Sequence, residues 1–172
     1  MKTWMLILLL PFFSAAQTIH RKGDKIVYQE DVPLPGRSSQ DVLAQLRSLA
    51  GPTVKKGKGS AQWQATDSSV SAIGDIKLTA SYPMLRTVNY SIELTAREGG
   101  YAYRIDSVYV TERKRGGGGE TVKKDNEMLE GMQQSGPSAE AAERLLNEID
   151  MNFQKLLAVI RLRMIKGTGT TP

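Results

Sequence analysis

Few residues of this chain are of types that could carry out chemistry. Its 172 residues include no cysteine and one histidine, His20, beside 18 acidic and 23 basic residues. Thiol catalysis is therefore excluded, as are metal centres built within one chain from cysteine or histidine clusters. A serine–histidine pair would depend on His20, which lies in a segment without periodicity that could not hold a catalytic geometry. We expect no metal and no other cofactor.

Carboxylates are the remaining side chains that could act in catalysis. Two acids facing each other across a cleft could hydrolyse a substrate, but none of the 18 stands out by its spacing. Neither glycine run matches a phosphate-binding loop. The run 57–60 leads into a strand, and the run 116–119 is followed by Glu120 where the motif requires lysine. We predict a protein that is not an enzyme, with a carboxylate-based hydrolase as one alternative.

A row of polar side chains on a central hairpin is the better candidate for a functional surface. Between 87 and 97 apolar and polar residues alternate, which places one row in a core and the other in water. Glu98-Gly99-Gly100 predicts a tight turn, and a parity change near Asp106 and Ser107 predicts a bulge in the return strand. The predicted binding face consists of Lys77, Asn89, Ser91, Glu93, Thr95, Arg97 and Arg104. Its mixed charges favour a peptide, a glycan or an envelope protein as partner.

The elements that must position this face follow from periodicity. We predict a strand at 25–32, a helix at 38–51 and four strands within 61–68, 75–82, 87–97 and 101–112. Ser38 followed by Asp41 resembles a capping box. Successive antiparallel strands give an α+β domain, 25–112, with a curved sheet of about five strands and a helix on one face. Residues 113–138 are expected to be a flexible glycine-rich connection.

A long amphipathic helix is predicted at 139–166. Its apolar stripe should join the core over the first four turns. Beyond Leu157 the tail could project and contact a partner or a second copy, so a structural or oligomerising role is the other alternative. A membrane-surface position is disfavoured because acids and bases are both present on the polar face.

The N-terminus has the layout of a secretory signal peptide. Lys2 precedes an apolar run, 4–13, and small residues precede a predicted cleavage site between Ala16 and Gln17. The run is shorter than the roughly 20 residues that cross a bilayer, so we expect no transmembrane anchor, and without cysteine the product is not a lipoprotein. We predict an exported protein, periplasmic or secreted, that begins with a flexible lead-in at 17–24. Its basic residues are dispersed, and nucleic acid is not an expected partner.

Three stretches resemble a known protein family. Asp31-Val32-Pro33-Leu34-Pro35-Gly36-Arg37-Ser38, Gly57-Lys58-Gly59 and the hairpin Tyr90–Arg104 are similar to a Bacteroidetes envelope family, a domain of unknown function with a TATA-binding-protein-like (TBP-like) fold. The resemblance covers about 25–112, with the terminal helix as an extension. It implies the fold and an exported setting, but no activity, cofactor or catalytic residue. DNA binding does not follow from the fold, because the chain has one copy of the unit and no evident apolar wedges.

Overall fold

The structure, a computed structural model, describes residues 19–22, 25–49, 61–78, 84–114, 122–124 and 137–166. These residues form seven strands and two helices. The strands are β1 (Ile19–Lys22), β2 (Lys25–Pro33), β3 (Ala61–Ala65), β4 (Ser69–Leu78), β5 (Met84–Arg97), β6 (Gly100–Lys114) and β7 (Val122–Lys124). The helices are α1 (Ser39–Leu49) and α2 (Pro137–Lys166). The predicted signal peptide, the run 116–119 and most of the predicted connection lie outside the described residues.

The strands make one antiparallel sheet, and the predicted α+β class is confirmed. The order across the sheet is β1-β2-β6-β5-β4-β3, with β7 also pairing with β6. The strands β3 to β6 form the predicted meander, and β2 closes onto β6. The long central pair β5–β6 thus has another strand on both sides.

The predicted hairpin is confirmed in its turn and its bulge. Gly99 has a φ of 70°, a conformation that costs glycine nothing. The pairing of β5 with β6 shifts register between Asn89 and Ser91, and Ser107, near the same irregularity, has a φ of 54°. The extra residue moves Val108 and Val110 onto the buried face that Tyr103 and Ile105 occupy before it.

The strands before the hairpin differ from the prediction. The turn lies at 66–68, so β4 begins at Ser69 and not near 75. The Thr66 hydroxyl stabilises this turn, because it accepts a hydrogen bond from the backbone of Ser69 at 3.0 Å. Gly74 lies inside β4, opposite Tyr90. A glycine can remain in a strand where a large side chain fills the space beside it.

Part of the predicted lead-in forms a strand. Residues Ile19–Lys22 form β1, which pairs with β2 and brings His20 opposite Val27. The prediction of a lead-in at 17–24 did not include this strand, because Ile19–Lys22 lacks the alternation that indicates a strand in sequence. With β7, β1 extends the predicted sheet of about five strands to seven within the described residues.

The connection from β2 to α1 is bound to the tip of the central hairpin. The Leu34 N–H donates to the Gly99 carbonyl at 2.7 Å, and the Gly99 N–H donates to the Arg37 carbonyl at 2.9 Å. The Glu98 carboxylate accepts from the Ser39 N–H at 3.0 Å, at the start of α1. The predicted cap is also present, because the Ser38 hydroxyl accepts from the Asp41 N–H at 3.2 Å.

Both helices cover one face of the sheet. Val42, Leu46 and Leu49 of α1 are buried in the same core as Leu145, Ile149, Phe153, Leu157, Ile160 and Met164 of α2. The Phe153 ring meets the rings of Tyr28 and Tyr90 edge-on, at centroid distances of 5.0 and 5.3 Å. We call the sheet side away from the helices the open face.

The tail of α2 does not project from the domain. Met164, near its C-terminus, is fully buried, and Gln45 of α1 donates hydrogen bonds to the carbonyls of Arg163 and Met164 at 2.7 and 2.8 Å. These bonds occupy backbone acceptors that a helix end leaves unpaired. The helix is therefore a part of the folded domain along most of its length. Among the described residues, no helix is both long enough and apolar enough to cross a membrane.

Candidate functional site

The open face carries all seven residues of the predicted binding face. Strand alternation directs the side chains of β4 and β5 at odd positions away from the buried row Val88, Tyr90, Ile92 and Leu94. The structure brings four of the predicted residues together: Glu93, Thr95, Arg97 and Arg104. They border a depression of about 390 Å³, which we call the open-face depression.

Three strands build the open-face depression. Glu93, Thr95 and Arg97 come from β5, Ala102 and Arg104 from β6, and Gln29 and Asp31 from β2. Ala102 lies between Asp31 and Thr95 in one cross-strand row. Neighbouring strands are about 4.8 Å apart, so a methyl side chain flanked by longer ones leaves a hollow in the middle strand. The small size of Ala102 thus accounts for the position of the depression.

An ion pair crosses one end of the depression. An Arg97 nitrogen lies 2.7 Å from an Asp31 oxygen, although the two residues belong to strands on either side of β6. The guanidinium can span β6 there because Gly100 and Ala102 have little or no side chain. Both partners are more than half exposed, at 57% and 72%, so the pair is weak and can exchange with a ligand.

The other end of the depression holds a carboxylate with no ionic partner in the described part of the chain. Glu93 lies directly opposite Arg104, but the Arg104 guanidinium donates instead to Asp106 at 2.8 Å. Glu93 is exposed and takes part in none of the ion pairs among the described residues. A ligand with a cationic or hydrogen-bond-donating group would find an acceptor at this point.

The other three predicted residues lie along the open face outside the depression. Asn89 donates weakly to the Thr111 hydroxyl at 3.4 Å, across the β5–β6 pair. Ser91 is opposite Ile73, which is 74% exposed, and Lys77 is opposite Thr87 further along β4. The structure thus places these residues on the same surface without joining them to the other four.

Sequence reasoning missed the contribution of β2. Gln29 and Asp31 alternate with buried Tyr28, which was a signal for an exposed row. Their relation to the hairpin depends on the β2–β6 pairing, in which Asp31 is opposite Ala102. Some 70 residues separate these two positions, and no local pattern specifies such a pairing.

The exposed charges around the open-face depression are balanced. Asp31 and Glu93 lie there with Arg97 and Arg104. Binding to a nucleic-acid backbone depends on a surplus of positive charge. The depression therefore suits a ligand of mixed charge better than a nucleic acid.

The reverse side of the same strands contains an ionic contact with α2. Glu30 Oε2 accepts from the Tyr103 hydroxyl at 2.9 Å and from the Arg161 guanidinium at 2.5 Å. The Glu30 side chain is 17% exposed and that of Arg161 is 34% exposed. Burial raises the pKa of neighbouring Tyr101 to about 12, with Arg161 lowering it in part and Glu30 raising it.

The acids of the described sheet fall into two groups, those bound to an arginine below the surface and those exposed on the open face. Two of the more buried carboxylates, Glu30 and Glu112, each contact an arginine, and Glu112 lies 2.5 Å from Arg86. Of the three acids that border the open-face depression, Asp31 and Glu93 are exposed, and Glu30 is bound to Arg161. Within the described ranges, no group of three or more histidine, cysteine, aspartate or glutamate residues could hold a metal ion.

Comparisons with known proteins identify a fold. No protein-family sequence model matches the chain, and no curated protein matches it. A TBP-like protein from Parabacteroides distasonis ATCC 8503 has a similar structure, with a TM-score of 0.68 over 85% of this chain and 96% of that chain at 11% identity. A DUF4468 family protein from Bacteroides ovatus ATCC 8483 gives a TM-score of 0.48, with 16% identity, 78% of this chain and 90% of that one. The first similarity shows that this chain has a TBP-like fold.

Proposed function

We propose that this chain is an exported, non-catalytic binding module that captures a polar ligand of mixed charge, a segment of peptide or glycan, in the open-face depression. One observation carries the proposal: four residues predicted from sequence alone border the same depression. Its volume of about 390 Å³ lies within the range of small-ligand sites, roughly 300–1,000 Å³.

The electrostatics of the depression suit such a ligand. Glu93 offers an acceptor for an amine or a hydroxyl. Arg97 is held in an exposed ion pair with Asp31, and Arg104 in a partly exposed one with Asp106; pairs this accessible to water are worth about 1 kcal/mol or less each. A ligand carboxylate or hydroxyl can therefore replace the acid at either arginine at little cost. The export part of the proposal rests on the signal-peptide layout at 1–16.

The test is photo-crosslinking in expressing cells from a probe amino acid at Thr95. Thr111 provides a matched control, because it is the same residue type on the same face but outside the depression. We expect a discrete adduct from position 95 and none from position 111. Mass spectrometry of the adduct then shows whether its mass is that of a peptide or a glycan.

A double substitution tests whether the charged side chains of the depression bind the ligand. In the Thr95 probe background, Glu93→Gln with Arg104→Gln should remove the adduct, while the melting temperature changes by no more than about 2 °C because both side chains are exposed. An adduct of undiminished yield from this variant would refute capture by the depression. No adduct from position 95 would refute the proposal as well.

A further inference from the structure

The exposed side of α2 changes from polar to apolar halfway along the helix. One stripe at helical spacing begins with Glu140, Arg144 and Asn147, which are exposed and polar. The same stripe continues with Met151, Ala158, Leu162 and Ile165, beside Val159. The four larger apolar residues are 50–57% exposed. We call Met151–Lys166 the outer half of α2.

Charge is segregated along the helix in the same way. The exposed charged residues of the outer half are Lys155, Arg163 and Lys166, all basic, and none forms an ion pair with another described residue. The acids of α2, Glu140, Glu143, Glu148 and Asp150, all precede this half. The sequence disfavoured a membrane-surface position because the polar face of the whole helix carries both acids and bases. The outer half has only bases among its exposed charged residues.

A second copy of the chain fits this surface poorly. Four half-exposed side chains present on the order of 300 Å² of apolar area. A stable interface takes roughly 800 Å² from each partner, of which about 65% is apolar in homodimers, or roughly 500 Å². Antiparallel pairing of two outer halves would also place Lys155 of one copy beside the Lys166 end of the other. Like charges at such a distance oppose association.

We propose that the outer half of α2 docks the protein peripherally on a membrane surface rich in anionic lipid headgroups. An amphipathic helix that binds in this way lies in the interface plane, with apolar side chains at the acyl boundary and cations at the headgroups. Leu162 and Val159 supply the apolar contact, and Lys155, Arg163 and Lys166 the ionic one. Because Phe153 and Leu157 already anchor the helix in the core, docking does not require it to fold.

Docking by this helix leaves the open-face depression free. The helices and the open face lie on opposite sides of the sheet, so a docked molecule directs the depression away from the bilayer. The inference is independent of the proposed capture of a ligand, and either one can fail alone.

The test is co-sedimentation with vesicles of phosphatidylglycerol and phosphatidylethanolamine, compared with vesicles of phosphatidylcholine. The chain is used as recovered from expressing cells, and mass spectrometry must show that residues 1–16 are absent, because the apolar run 4–13 would itself bind lipid. Two variants remove the proposed contacts: Val159→Gln with Leu162→Gln, and Lys155→Gln with Arg163→Gln and Lys166→Gln. A matched control, Ala141→Gln with Arg144→Gln, alters exposed residues in the first half of the same helix.

We expect the unmodified chain and the control to bind the anionic vesicles more tightly than the neutral ones. The apolar variant should bind roughly ten-fold more weakly. The basic variant should bind roughly a hundred-fold more weakly, at about 1 kcal/mol for each cation. Absence of binding by the unmodified chain, or equal binding by the apolar variant, would overturn the proposal. So would a solution dimer that the apolar variant dissociates, because a second copy would then cover the outer half.

Discussion

Glu30 and Asp31 are neighbours on β2 that allow one interaction to be compared in two environments. Each carboxylate binds an arginine, but on opposite sides of the sheet. The Asp31–Arg97 pair is exposed on the open face at 72% and 57%, and the Glu30–Arg161 pair is exposed at only 17% and 34% under α2. We predict that Glu30→Gln destabilises the protein and that Asp31→Asn does not.

The magnitudes follow from burial. An ion pair with both partners more than half exposed contributes about 0–1 kcal/mol, so Asp31→Asn should cost less than about 0.5 kcal/mol. Glu30 accepts two hydrogen bonds, one of them from a guanidinium, and bonds to charged groups are worth about 1.5–3 kcal/mol each. Because a third of Arg161 remains in water, which screens the pair, we expect Glu30→Gln to cost about 1–3 kcal/mol.

Double-mutant cycles in urea separate the pair from side effects of each substitution. The coupling free energy between Glu30→Gln and Arg161→Gln should be about 1–2 kcal/mol, against less than about 0.5 kcal/mol for Asp31→Asn with Arg97→Gln. Equal couplings for the two pairs would refute the argument from burial. A coupling near zero at Glu30 would show that α2 is not held to β2 by this contact.

Three further predictions concern the core and the turn of the central hairpin. Phe153→Ala should lower the free energy of unfolding by about 3–5 kcal/mol in urea titration, since it removes a fully buried ring that contacts two tyrosines; a loss below about 1 kcal/mol would show that α2 packs elsewhere. Burial raises the pKa of Tyr90 and Tyr101 from 10.0 to about 12, and at Tyr90 the charge of Asp75 adds to the effect. The folded protein therefore favours the neutral side chains, and each contributes up to about 3 kcal/mol to the free energy of unfolding. This contribution is fully present below pH 10 and is lost as the pH rises through about 12. Circular dichroism should show unfolding together with tyrosinate absorbance, and tyrosinate formation at pH 10 in the folded protein would contradict this. Gly100→Ala should lower the melting temperature more than Gly99→Ala does. An added Cβ at position 100 would overlap a backbone carbonyl of β2, whereas at position 99 only the positive φ is unfavourable. Equal decreases in melting temperature for the two variants would refute this prediction.

The fold could be predicted where the pattern is local. Alternation in β5, the Gly99-Gly100 turn and the parity change near Ser107 each reflect neighbours within a few residues, and all three match the structure. The turn at 66–68 was missed because a threonine hydroxyl stabilises it rather than a glycine. β1 was missed because the pairing with β2, more than its own sequence, holds it in place.

Only the part of the candidate site that lies on one strand could be predicted. Glu93, Thr95 and Arg97 share one strand, and their common face follows from a period of two. Asp31 and Ala102 join them through a pairing between distant segments, which depends on the tertiary fold. The direction of the Arg104 side chain was also not predicted, because its guanidinium binds Asp106, two residues along the same strand, and not Glu93 opposite it.

The tip of the central hairpin has a consequence for engineering. Hairpin tips are usually the safest places for an epitope tag or an inserted domain, because little depends on their backbone. Here the Gly99 backbone and the Glu98 carboxylate bind the segment that leads into α1. An insertion between these two residues would separate β5 from β6 and also release the start of the helix. This turn is therefore a poor place to fuse cargo.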